Sequence, residues 1–320
     1  MKKILATALS LALMLSLAAA CGADAPSEPI GSDNNSPPLA DSPSPDQQQP
    51  DPPPPPEPAP SNESNFDASQ FINVVSREDG SGTRGAFIEI FGVLHDGIDR
   101  TTQEAHIADG TNLVLTTVAG DLYSIGYVSM GALNDTIKAL SVDGVAPTTD
   151  NINNGTYTVM RPFNIAYKEL NEVAQDFYNF IFSADGQAIV DDRGYITVPD
   201  TGSFTSTMAD GTVTISGSTS VFPVMERLIQ AYEDINPNAR IDLQGGGSSA
   251  GMRDAIGDVS DIGMASRDLS DEEMAELNHQ AICIDGIAMV VNLDNPITGI
   301  TSENVTGVFI GELARWSEIQ

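Results

Sequence analysis

Three segments of this chain pass from an apolar stretch, through a turn of glycine and hydroxyl residues, into a helical pattern. This repetition constrains the fold more than any other feature. The first is Val74-Val75-Ser76-Arg77-Glu78-Asp79-Gly80-Ser81-Gly82-Thr83, with Ala86, Phe87, Ile90 and Phe91 on the apolar side of the helix that follows. The others are Gly217-Ser218-Thr219-Ser220 and Gly245-Gly246-Gly247-Ser248-Ser249. Each predicts bare backbone N–H groups and small hydroxyls at a helix N-terminus, where the partial positive charge suits an anion. Arg77, at the end of the first strand, adds a planar guanidinium that can grip an oxyanion through two parallel bonds. Together they describe a cage for an oxyanion.

The alternation runs through the rest of the chain. Strands are expected at Phe71–Ser76, Ser124–Val128, Ile137–Val142, Thr212–Ser216, Ala239–Gln244, Asp261–Ala265 and Ile287–Asn292. Amphipathic patterns predict helices at Thr83–Val93, Val173–Phe182, Val221–Ile235, Ser249–Ile256, Asp271–Leu277 and Ser302–Ile310. Such a succession argues for α/β layers with mainly parallel strands, and for a ligand at the strands' carboxyl ends. All three glycine–hydroxyl turns lie at such ends.

The N-terminal region reads differently. Met1-Lys2-Lys3, an apolar run Ile4–Ala20 and small residues before Cys21 describe a secretory signal. Cys21 after Leu17-Ala18-Ala19-Ala20 resembles a bacterial lipobox, although Ala18 stands where leucine is favoured. Residues 1–21 are therefore expected to be a lipoprotein signal peptide, with Cys21 as the lipidated N-terminus on the extracytoplasmic face of the cell membrane. The plainer alternative is an ordinary cleaved signal with a chance cysteine. Residues 22–65 hold most of the chain's 20 prolines, a Pro52–Pro56 run, and no Lys or Arg. This stretch cannot bury a core and is expected to be a disordered, acidic, Pro-rich linker.

Residues 66–320 are enough for one large domain or two lobes. Cys283 is the one cysteine besides Cys21, so this region can form no internal disulfide, and Cys283 reads as buried packing. The net charge of −31 excludes nucleic acid as a partner and opposes any anion at long range. Capture must then rest on local donors. His95, His106 and His279 are too scattered for a metal site, and no cofactor is expected.

Each motif also has a plainer reading. Ser81 could be an ordinary N-cap with Arg77 paired to Asp79, and serine caps alone would explain Ser218–Ser220 before a helix with Pro223 in its first turn. Gly245–Gly251 fits both a loose dinucleotide fingerprint, Gly-x-Gly-x-x-Ala, and the Gly-x-Ser-x-Gly nucleophile elbow centred on Ser249. A hydrolase needs an acid and then a histidine downstream, and His279 is the only histidine after Ser249. A nicotinamide enzyme normally carries its fingerprint in the first βα unit, and this one comes late. What both false matches share is a helix N-terminus open to an anion.

Taken together, these segments resemble the phosphate-binding proteins of bacterial phosphate ABC importers. The resemblance rests on residues 76–83, 216–223, 244–251, 261–267, 285–288 and 309–316, and it covers essentially all of residues 70–320. It implies a two-lobed, type II periplasmic-binding-protein fold that closes on inorganic phosphate and delivers it to a membrane permease. A monomer without enzymatic activity is expected. The order of segments departs from the family. There the Gly-Ser-Thr segment comes first and the Arg-x-Asp-Gly-Ser-Gly-Thr segment follows the tryptophan, whereas here the halves are exchanged. The chain thus reads as a circular permutant, its old termini joined through Asp200–Gly211. The resemblance then implies one lobe at about 66–161 plus 282–320 and another at about 162–281. The alternative is a tandem of incomplete halves that pair with another chain.

Carried over residue by residue, the resemblance implies phosphate binding by Arg77, Ser81, Gly82 and Thr83 from one lobe and Thr219, Ser220 and Ser248 from the other. Ser218, Ser249, Arg267 and Asp79 are secondary candidates. Some family members place an aspartate after the serine of the Asp-x-Gly…Ser segment, where it accepts the proton of hydrogen phosphate. Here Arg267 holds that place, and Asp79 is expected to act as the acceptor or else to hold Arg77. The same fold could serve sulfate, molybdate or tungstate, or act as a phosphate sensor without a permease.

Overall fold

The computed structural model describes residues 65–319. The expected signal peptide, Cys21 and the expected linker up to Ser64 lie outside the described residues. In chain order, β1 (Asn73–Arg77) leads to α1 (Gly82–Ile90), a small hairpin of β2 (Leu94–His95) and β3 (Ile98–Asp99), then β4 (His106–Ala108) and α2 (Thr111–Gly120). Next come β5 (Ser124–Ser129), β6 (Ile137–Ala139), β7 (Ser141–Val142), α3 (Thr149–Asn153) and β8 (Met160–Tyr167). Helices α4 (Glu172–Ile181) and α5 (Ala184–Asp192) precede β9 (Ile196–Thr197). The pattern then alternates through β10 (Gly211–Gly217), α6 (Phe222–Ile235), β11 (Ala239–Gly245), α7 (Ser248–Ile256), β12 (Ile262–Ala265) and α8 (Asp271–Glu276). A long β13 (Asn278–Asn292), β14 (Gly299–Ile300) and α9 (Ser302–Phe309) complete the chain.

Eight strands hydrogen-bond in the order β11-β10-β12-β8-β13-β5-β1-β4. Pairing is parallel at each end, in β11–β10–β12 and β5–β1–β4, and antiparallel through the middle. The expected mainly parallel sheet is therefore mixed, because β8 and β13 run against their neighbours as they pass from one end to the other. One core packs α4, α5 and α6 on β8 and β10, with Phe163, Phe177, Phe180, Val213, Leu228 and Tyr232 buried. Another gathers Val74, Phe87, Tyr127, Met289, Phe309 and Trp316 around β1, β5 and the second half of β13. Cys283 is a free, buried thiol.

Sequence patterning located most elements and missed those that join the two ends. In β8 the apolar alternation is broken by Arg161, Pro162 and Asn164, and β13 extends well before Ile287 through polar residues. Helix α2 escaped because Thr111-Asn112-Leu113-Val114-Leu115-Thr116-Thr117-Val118 is rich in β-branched residues. Where β8 and β13 pair, Arg161 stands opposite Asp285, and both are buried. Arg161 Nη2 donates to Asp285 Oδ2 at 3.2 Å and Ser129 Oγ donates to Asp285 Oδ1 at 2.8 Å. Burial dominates this carboxyl and pushes it up to about 6, against the opposing pull of Arg161.

Candidate functional site

The sheet delivers four helix N-termini to one place. Helices α1 and α2 follow β1 and β4 at one end, while α6 and α7 follow β10 and β11 at the other. Between them lies Arg77, 2% exposed, at the end of β1. Its backbone N–H donates to Tyr127 Oη at 3.2 Å, and Ser76 Oγ lies 2.9 Å from the same hydroxyl. Tyr127 is stacked on Phe87 of α1 at 3.9 Å. Arg84 donates through Nη1 to Arg77 O at 2.9 Å and through Nε to Asp99 Oδ2 at 2.9 Å, which pins the turn from behind.

Hydroxyls from both ends of the sheet meet at the guanidinium. Arg77 Nη2 donates to Thr219 Oγ1 at 3.0 Å and Nη1 to Thr111 Oγ1 at 3.4 Å. Thr83 Oγ1 and Ser220 Oγ are 2.8 Å apart, and Thr111 Oγ1 is 3.3 Å from both Thr219 Oγ1 and Ser220 Oγ. A second, adjoining set consists of Ser218, Ser248 and Ser266. Ser218 Oγ donates to Ser266 Oγ at 2.9 Å, and Ser266 N–H donates to Ser248 Oγ at 3.0 Å. Gly82 lies directly against this set. A Cβ there would overlap Ser248 Oγ outright and come within 2.8 Å of Ser266 Oγ.

The sequence candidates divide accordingly. Arg77, Gly82, Thr83, Thr219, Ser220 and Ser248 are brought together. Ser81 adjoins them as the N-cap of α1, its Oγ accepting from Arg84 N–H at 3.3 Å, so its capping role is real. Ser218 Oγ accepts from the N–H groups of Ser220 and Val221 in the turn before α6, whose N-cap is Val221. Ser249 N–H donates to Gly80 O at 3.1 Å across the two ends, and its hydroxyl accepts from Arg267 Nη2 at 3.3 Å. That hydroxyl faces an arginine rather than a histidine, and His279 is exposed at the start of β13. Arg267 turns to Glu273, which it grips with both Nη atoms at 2.7 and 2.8 Å.

Asp79 corrects an expectation. Its side chain is fully exposed and paired with Arg84 Nη1 at 3.0 Å, so it neither faces the hydroxyls nor holds Arg77. Glu78 does the holding: Oε2 accepts from Arg77 Nε at 2.7 Å and Oε1 from Nη2 at 2.6 Å. Oε2 also accepts from Gly110 N–H at 3.1 Å, at the start of α2. Burial works against the charge on Glu78, but the hydrogen bonds and positive charge of Arg77 outweigh it and hold the carboxyl below its ordinary value.

Sequence reasoning missed Glu78, Thr111 and Ser266. Gly110-Thr111 before Leu113-Val114 has the same glycine–hydroxyl build as the other turns and could have been found. A groove of about 570 Å³ opens beside Thr111 and Thr219, lined also by Leu115, Leu133, Phe222 and Arg193. Among the described residues no cluster of His, Cys, Asp and Glu is placed to hold a metal, and no helix is long and apolar enough to cross a membrane.

Similarity to known proteins matches this architecture. A family model described as a PBP superfamily domain matches residues 61–185 and 202–320. The phosphate-binding protein PstS 2 of Streptococcus agalactiae serotype V is 40% identical over 267 residues, covering 81% of this chain and 91% of the relative. This chain belongs to the phosphate-binding-protein family. The crystal structure of a phosphate ABC transporter's phosphate-binding protein from Streptococcus pneumoniae TIGR4 superposes with a TM-score of 0.64 at 43% identity, covering 78% of this chain and all of that one. The fold is thus that of a type II periplasmic binding protein. The phosphate-binding protein PstS of Bacillus subtilis matches over a shorter stretch, 35% identical over 134 residues, which is 41% of this chain and 43% of that family member.

Proposed function

We propose that this chain is the extracytoplasmic binding subunit of a phosphate ABC importer. It captures inorganic phosphate between two lobes and passes it to a membrane permease. The observation that carries the reading is the buried Arg77, ringed by Thr83 and Thr111 from one end of the sheet and Thr219 and Ser220 from the other. A guanidinium, neutral hydroxyls and four helix N-termini suit a tetrahedral oxyanion, and none of these groups needs to break a bond. Binding here is closure of the two lobes around the ligand. Cys21 would carry the lipid that keeps the protein at the membrane, with residues 22–65 as the tether.

The lobes proposed are about 66–161 with 282–320 and about 162–281, each with its own core, joined through β8 and β13. The permuted order is part of the reading. It is supported by the closeness of the segment around Trp316 to the start of β1: Ile72 N–H donates to Ala314 O at 2.8 Å and Ser317 N–H to Ala68 O at 2.7 Å. A family chain would run on from one to the other there. A long match to the streptococcal relatives and a match to under half of the Bacillus protein are what an order shared with the former and exchanged in the latter produces.

The test is calorimetric titration of the chain from residue 22 onward, stripped of bound anion by unfolding and refolding, with phosphate and then sulfate. Tight phosphate binding that falls at least about 100-fold in Arg77→Ala is expected, since charged hydrogen bonds contribute about 1.5–3 kcal/mol each. Retained affinity in a folded Arg77→Ala protein would remove the site assignment.

A further inference from the structure

The two strands that cross between the proposed lobes are weakened at the crossing. Pro162 brings no backbone N–H to β8, and β13 shifts register between Ala281 and Cys283. Gly286 lies just beyond, packed so closely under Met130 that a Cβ would overlap its Sδ. Such a stretch can bend, and any closing motion of the lobes must turn there. Arg161 and Asp285 stand opposite each other at this point.

The pair is loosely bonded for its burial. Arg161 Nε and Nη2 both donate to Asp285 Oδ2, at 3.4 and 3.2 Å, although the two side chains are 2% and 0% exposed. The more exposed pairs are tighter: Arg77 holds Glu78 at 2.7 and 2.6 Å, and Arg267 holds Glu273 at 2.7 and 2.8 Å. Among the described residues, the buried side-chain polar atoms without a hydrogen-bond partner are Arg161 Nη1 and Tyr195 Oη. Tyr195 Oη rests on Gly131, where a Cβ would overlap it. Ser129 borders the same hydroxyl but gives its own hydrogen to Asp285. Two unmet polar groups therefore flank one buried carboxylate.

This cluster is assembled from both proposed lobes. Ser129 and Gly131 end β5 and begin the turn after it, whereas Tyr195 and Phe163 belong to the core under α4, α5 and α6. Arg161 lies over the Phe163 ring at 5.4 Å. The groove beside Thr111 and Thr219 runs down to Gly131 and Arg193. Another, of about 360 Å³, lies between α1 and residues 267–270 and reaches Arg161. Parting the lobes widens both grooves and lets water reach Tyr195 Oη and Arg161 Nη1. Bringing them together strips that water away, and a buried polar group left unmet costs more than a met one contributes.

We infer that Arg161 and Tyr195 load the hinge against closure, so that the empty chain rests open and bound phosphate supplies the difference. This inference rests on the reading of the chain as a phosphate binder that works by closure. A ligand that needs the closed arrangement loses affinity in proportion to the scarcity of that arrangement. The hinge thus lowers phosphate affinity and favours release, without touching the ligand.

The test is calorimetric titration of the full chain with phosphate, after bound anion is stripped, at a pH well above the value of about 6 to which Asp285 is raised. Thermal melts of the ligand-free protein accompany it. Tyr195→Phe deletes the unmet hydroxyl and keeps the ring beside Phe163. It should bind phosphate at least about threefold more tightly than wild type. Asp285→Asn leaves the Arg161 charge without its counterion when the lobes close, and should bind at least about threefold more weakly. A smaller gain in Tyr195→Phe overturns the inference even if its melting temperature rises, since that is the mark of a group unmet in open and closed arrangements alike. So does a smaller loss in a folded Asp285→Asn protein; should that variant not fold, Tyr195→Phe decides alone. A wild type that binds no phosphate overturns the phosphate reading itself, and the inference with it.

Discussion

Gly82→Ala should show how much the close approach of the two ends of the sheet contributes to binding and to stability. Gly82 opens α1, and its Cα faces Ser248 and Ser266 across the meeting of the two ends. An added Cβ would overlap Ser248 Oγ, lie 2.8 Å from Ser266 Oγ and 3.0 Å from Ser248 Cβ. Real Cβ atoms essentially never come closer than 3.0 Å to such neighbours. Ser248 cannot simply rotate away, because it is wholly buried and its oxygen accepts the Ser266 N–H at 3.0 Å. The turn must therefore draw back. The bonds that cross between the ends, Thr83–Ser220 at 2.8 Å and Arg77–Thr219 at 3.0 Å, have little length to spare. A misplacement of about 1 Å is worth roughly 10²-fold where geometry is set this tightly, so phosphate affinity should fall by that order. The overlap is present without ligand as well, so the ligand-free protein should also lose stability, by the roughly 1–3 kcal/mol typical of overpacking. Calorimetric titration with a thermal melt of the ligand-free protein reads both quantities. Phosphate affinity within threefold of wild type would refute the reasoning.

Asp79→Asn should leave phosphate affinity and sulfate rejection within about twofold of wild type, since its side chain is fully exposed; a tenfold change in titration would restore it to the site. Arg77→Ala should also lower the melting temperature in the absence of phosphate, because it leaves the Glu78 carboxylate without its partner. The loss should fall below the 3–5 kcal/mol of a fully buried pair, because Glu78 is partly solvated. Asp285 titrates near 6 in the folded state against 3.8 for the ordinary carboxyl, so between those values the folded chain holds a proton that the unfolded chain has lost. Its contribution to stability therefore declines as pH rises from about 4 to 6. In melts across that range, wild type should gain stability relative to Asp285→Asn as pH falls from about 6 to 4; a constant difference would show that Asp285 does not titrate there.

How much of the site was legible depended on how local each part is. Arg77, Ser81, Gly82 and Thr83 sit within one turn, and the strand-to-helix passage that exposes their donors is encoded by neighbouring residues. The second and third turns were legible for the same reason. Asp79 was misassigned because adjacent carboxylates in Glu78-Asp79 are indistinguishable by spacing. Their roles are separated by the direction of each side chain, and Arg84, five residues beyond Asp79, draws that side chain outward. Thr111 was hidden by the β-branched composition of α2, and Ser266 by its position at the end of a short strand.

By itself the sequence determined that the folded region is α/β, that glycine–hydroxyl turns open its helices, and that the ligand is an anion captured by local donors against a large negative charge. These properties follow from periodicity, turn chemistry and composition, all of which act over a few residues. Tertiary structure alone decided that the sheet is mixed, that β8 and β13 tie its ends together through Arg161 and Asp285, and that Thr83 meets Ser220 more than a hundred residues away. It also decided that Glu78, not Asp79, pairs with Arg77. Those outcomes depend on which surfaces become buried together, and burial is a property of the whole packed chain rather than of any one segment.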